Sequence, residues 1–141
     1  MKLKPYTVLQ FLDDVRHEFQ FLIDDYGFEE PSTHWVNHTR DLGLNEHVTS
    51  AAPVLEYTAS MRHVSIAHDP RGAVEVIVQR DFPDYSSTPL EELVKEVGAE
   101  DAARYGEIYD MTLTTAGERI PVLAAGLKRY GRPWLEEPEE P

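Results

Sequence analysis

The chain has 141 residues, 26 of them acidic against 13 basic, for a formal net charge of −13. A field of that sign repels phosphate backbones and anionic membranes, so nucleic-acid and membrane roles are disfavoured and a basic protein is the complementary partner. The lack of cysteine excludes disulfide scaffolds, thiolate metal sites and cysteine nucleophiles, while 41% hydrophobic and 28% charged residues suit one ordinary folded domain.

Two lysines open the chain, but acid follows within a few residues and no uninterrupted apolar run succeeds them. Neither a secretory signal nor a membrane span is expected, and the cytoplasm is the expected compartment. The first predicted element is a helix capped by Thr7, with Gln10 closing a capping box and Gly27 as the left-handed terminator, from which Phe28 reaches back to Ile23. Leu9, Leu12, Val15, Phe19, Leu22 and Tyr26 recur at spacings of three and four and form its apolar stripe, broadened by Phe11, Phe21 and Ile23.

Glu30-Pro31-Ser32 ends that helix. His34–Thr39 has the residue types of a short strand, and Arg40–Pro53, with Gly43, Asn45, Ser50 and Pro53 and little periodicity, reads as a long loop. The clearest strand signals follow. Val54–Ala59 alternates loosely, and Arg62–His68 and Ala73–Arg80 form a hairpin about Asp69-Pro70-Arg71-Gly72. Its alternation sends Val64, Ile66, Val74, Val76 and Val78 to the core. It sends His63, Ser65, Glu75, Ile77 and Gln79 to a face that is solvated or lightly covered.

Asp81–Ser87 reads as a loop, after which Thr88 caps a helix with Pro89 at its first position and Glu91 in a capping box. That helix runs to Val97 and Gly98, and Ala99–Tyr105 is a further short helix. A last helix buries Val122, Leu123, Leu127 and Tyr130 and stops at Gly131; Thr115 and Pro121 each offer a start. The expected fold is α+β: an antiparallel sheet of three to four strands packed on one face by an N-terminal helix and C-terminal helices. It forms a single domain over 1–135, followed by a frayed acidic tail at 136–141.

Catalytic and nucleotide motifs are missing: there is no GxGxxG, GxxxxGK[ST], HExxH or GxSxG, and no cofactor is implied. His34, His38 and His47 are the candidate metal ligands, since three neutral imidazoles would leave an open position on zinc. HxxxH converges only on a helix, whereas these residue types favour a strand. His63 and Glu75 are expected as near cross-strand neighbours, and a triad of Ser65, His63 and Glu75 lacks any signal for a strained elbow or an oxyanion hole.

The segments FLIDDYGF (Phe21–Phe28), VSIAHDPRGAVEVIVQR, TPLEELVKEVG and LKRYGRPWL together resemble a family of small, mostly uncharacterised bacterial α+β proteins, some of which sit among the immunity proteins of polymorphic toxin systems. The resemblance implies a compact fold and binding to another protein, and it carries no catalytic residues. Two functional classes follow. The first is a non-catalytic interaction module, an immunity protein for a basic toxin, contacting its partner through Asp13, Asp14, Asp24, Asp25, Glu29, Glu30, His63 and Glu75, as monomer or homodimer. The alternative is a small metal-dependent hydrolase using His34, His38 and His47.

Overall fold

The computed structural model describes residues 7–43, 46–68, 74–81, 85–96 and 116–136. The order is α1 (Val8–Glu18), α2 (Phe21–Tyr26), β1 (Ser32–Gly43), β2 (Glu46–Ala59), β3 (Arg62–His68), β4 (Val74–Arg80), β5 (Ser86–Pro89), α3 (Leu90–Glu96), α4 (Ala116–Tyr130) and α5 (Arg132–Leu135). The fold is α+β, and the sheet has five strands in the order β1-β2-β3-β4-β5, one or two more than expected, all antiparallel to their neighbours.

The helical start follows the local chemistry. Thr7 Oγ1 accepts the Gln10 N–H at 3.1 Å and Gln10 Oε1 accepts the Thr7 N–H at 2.8 Å, a complete capping box. At the other end Gly27 has φ 74°, a left-handed terminator, and the Phe28 N–H turns back past it to the Leu22 carbonyl at 3.0 Å. The expected continuous helix is instead two. The chain tightens after Phe19, where Leu22 N–H bonds Phe19 O at 3.0 Å, a three-residue step that keeps both side chains in the core. The buried stripe also differs from the expected one. Phe11, Val15, Phe19 and Leu22 are fully buried, whereas Leu9 is 73% exposed, because it lies about 120° around the helix from Val15.

In the sheet, one alternation set is buried. Leu55, Ile66 and Val76 lie in one cross-strand row, Tyr57, Val64 and Val78 in the next, and all join a single core with Phe11, Val15, Phe19, Leu90, Leu93, Ile120, Leu123, Leu127 and Leu135 of the helices. From Val54 onward, every described sheet residue of the opposite parity is half-buried or exposed. Period-two alternation therefore fixes the register of β3 and β4, since a slip of one residue would turn the valines to water. A two-residue turn, Ser60-Met61, joins β2 to β3, and Met61 adopts φ 60°, a left-handed conformation costly for a non-glycine residue.

Two expected loops or boundaries are corrected. Arg40–Pro53 is not a loop: β1 and β2 pair from Ser32↔Glu56 to Gly43↔Glu46, so the segment belongs to a long hairpin. Ser86–Pro89 is an edge strand on β4. Thr88 and Pro89 pair with Val78 and Ile77, and the helix begins one residue later, at Leu90. Proline is tolerated there because an edge strand leaves half its N–H groups unused. The last helix starts at Ala116, which fits the earlier of the two expected starts, and runs through Pro121, an exposed position. The Asp69–Gly72 turn, the helix expected at Ala99–Tyr105, Thr115 and the tail from Glu137 lie outside the described residues.

Candidate functional site

The sheet separates its charges by face. Arg62 and Arg80 sit directly opposite each other on the helix side. Arg62, only 5% exposed, donates to the Tyr26 carbonyl at 2.7 Å and lies 5.1 Å from the Phe28 ring. Arg80 donates to the Pro133 carbonyl at 2.6 Å. Each guanidinium thus meets a carbonyl near the C-terminal end of a short helix, where the backbone dipole is negative. Sequence reasoning missed both roles; the available signal was that each arginine shares the parity of the buried valines.

The open face carries the opposite sign. Glu56, Glu75 and Asp81 stand on it with His34 and His63, and no lysine or arginine joins them among its described residues from Val54 onward. Four of these five groups form one string across the strands. Glu56 lies opposite Ser32 on β1 and Ser65 on β3, so His34 and His63 are its two diagonal neighbours. Its carboxylate oxygens stand 3.6 Å from His34 Nε2 and 3.6 Å from His63 Nδ1. On its far side, His63 Nε2 meets Asp81 Oδ2 at 3.1 Å, and Gln79 Nε2 donates to Asp81 Oδ1 at 3.2 Å. Ser32 Oγ adds a 3.0 Å hydrogen bond to His34 Nε2.

Asp81 is placed just past β4 by its N–H, which bonds the Met61 carbonyl at 2.9 Å and so extends the ladder around the β2–β3 turn. Hydrogen bonds from Gln79 and His63 hold its carboxyl below the usual carboxylate value. His63 Nδ1 is buried without a hydrogen-bond partner among the described residues, its separation from Glu56 being too long for one. A doubly protonated His63 would present one N–H toward each carboxylate, whereas a neutral ring satisfies only the Asp81 side. The arrangement is suited to holding cations and protons at a surface. Ser32 Oγ does touch the His34 imidazole, but through the same Nε2 that faces Glu56, so this Ser-His-Glu set lacks the relay of a triad, in which each ring nitrogen serves one neighbour.

The expected His63–Glu75 proximity does not hold. Glu75 lies opposite Ala67 and His63 opposite Gln79, a separation of four residues along the strands, or about 13 Å. The triad of Ser65, His63 and Glu75 is therefore not assembled. His34 joins the open-face string, while the β1 backbone puts His38 opposite Ser50 and His47 opposite Asp41; the side chains of His38 and His47 lie outside the described residues. Among the described residues no three acidic or histidine side chains are grouped to hold a metal ion.

Asp13, Asp24, Asp25, Glu29 and Glu30 are exposed and Asp14 is half-buried, all on α1, α2 and the segment that leaves them. These residues are not part of the open-face string. A separate shallow cavity of about 330 Å³ lies between α1, α2 and α4, lined by His17, Glu18, Phe21, Pro121 and Lys128 among others; its mixed charges define no ligand class. No described helix is long and apolar enough to cross a membrane. Comparison with known protein families, curated proteins and solved structures gave no match to the chain.

Proposed function

We propose that the chain is a non-catalytic, cytoplasmic protein-binding module that receives a basic partner on its open sheet face. The observation that supports this reading is the segregation of charge from Val54 onward: Arg62 and Arg80 are turned to helix carbonyls, and Glu56, Glu75 and Asp81 are turned to solvent. A surface so arranged steers cationic groups toward it and suppresses acidic partners. An immunity-type role, in which the module sequesters a basic toxin, is the form of this function that fits both the net charge of −13 and the sequence's resemblance to small α+β proteins.

The test is a comparison of columns carrying the wild-type chain, Glu56→Lys/Asp81→Lys, and Asp24→Lys/Asp25→Lys. Both variants reverse two charges, on the open face and on the helical side respectively. From a lysate of the source cell, the wild type and the helical variant should retain the same strongly basic protein, released by moderate salt, and the open-face variant should not. Equal retention by all three, or a partner indifferent to salt, would remove the reading.

A further inference from the structure

The β1–β2 hairpin outgrows the sheet. β3 takes its last partner from β2 at Val54↔Ala67, whereas β1 and β2 stay paired out to Gly43↔Glu46. Beyond Trp35 the two strands continue as a ribbon of about 25 Å, paired only with each other among the described residues. A two-stranded ribbon is marginally stable in water and gains from a third strand.

The two sheet edges are built differently. β5 is four residues long and includes Pro89, a blunted edge. β1 is twelve residues long, contains no proline, and presents one row of backbone N–H and C=O groups away from β2. Its sequence, STHWVNHTRDLG, carries one arginine and one aspartate and is formally neutral in a chain at −13. Trp35 and Val36, where the ribbon leaves the sheet, are 54% and 43% exposed.

We propose that the β1 edge is the seat of a second copy of the chain, two β1 strands pairing antiparallel about a two-fold axis. Antiparallel pairing of identical strands is self-complementary, so the contact closes as a dimer. Local neutrality argues for a second copy over a basic strand: self-pairing meets little repulsion along β1, and a basic strand finds no excess acid there. The pairing leaves the open face unoccupied, so it stands independently of the function proposed above.

Sedimentation equilibrium of the full chain over micromolar to millimolar concentration, with amide hydrogen exchange at both ends of that range, tests the proposal. The expected result is a monomer–dimer equilibrium that strengthens with added salt, as the repulsion between two copies at −13 is screened. Protection should rise selectively in β1. Trp35→Lys/Val36→Lys should weaken dimerisation at least tenfold, and Ser87→Lys on the opposite edge should leave it unchanged. A monomer at every concentration overturns the proposal, as does a dimer that protects other strands. Protection of β1 that appears only when a basic partner is added assigns the edge to that partner and overturns self-pairing too.

Discussion

At the residue scale, His63 couples two carboxylates that differ in geometry: it hydrogen-bonds Asp81 at 3.1 Å and faces Glu56 at 3.6 Å. Because Gln79 and His63 lower the Asp81 value in the folded state, the stabilisation from Asp81 is present above the ordinary carboxylate range and is lost as pH falls through the depressed value. Gln79→Ala and His63→Ala should each bring the Asp81 titration, followed by carboxyl NMR shifts, back toward the ordinary value; an unmoved titration would refute the assigned cause. Tyr57 shows the opposite sign. Burial, slightly offset by Arg16, pushes its phenol up to about 12, so its neutral form contributes stability that is lost as pH rises from the ordinary value toward that one. Its hydroxyl has no hydrogen-bond partner among the described residues. Tyr57→Phe should therefore be neutral or stabilising by up to about 1 kcal/mol in urea melts, and should remove a step near 12 from the tyrosine absorbance titration. Arg62 is the contrasting buried polar group. Arg62→Met removes its bond to the Tyr26 carbonyl and should cost about 2–3 kcal/mol.

At the element scale, α1 offers a direct test of which face is inside. Phe11→Ala should cost about 3–5 kcal/mol, and Leu9→Ala less than about 0.5 kcal/mol, in denaturant unfolding; the two would be similar if the stripe began at Leu9. The capping box at Thr7 and the Gly27 terminator were legible in the sequence because their chemistry is local. The β3 and β4 strands were legible because burial of Val64, Ile66, Val74, Val76 and Val78 imposes alternation. The β1–β2 hairpin was not. Most of its length lies beyond the β3 partner, and Gly43, Asn45 and Pro53 resemble loop punctuation. The site was half legible for the same kind of reason. His63 was identifiable from its parity, but its acid partner depends on the β3–β4 register and on Asp81, which lies past the end of a strand and had the composition of a loop.

At the scale of the whole molecule, the net charge of −13 acquires a direction. The helix side of the sheet uses Arg62 and Arg80 to hold carbonyls, so these two cations are withdrawn from the opposite face. What remains there is Glu56, Glu75 and Asp81, with two histidines beside them. Long-range attraction of a basic partner follows from the total charge, but its seating depends on this local arrangement. The two are separable, because charge reversal on the helical side changes the total equally without touching the face. The most direct measurement is the affinity of the recovered basic partner for Glu56→Lys/Asp81→Lys relative to Asp24→Lys/Asp25→Lys, by titration calorimetry at fixed ionic strength. The expected result is at least a hundredfold loss for the open-face pair and no more than a few-fold loss for the helical pair; equal losses would show that the partner is not seated on the open face.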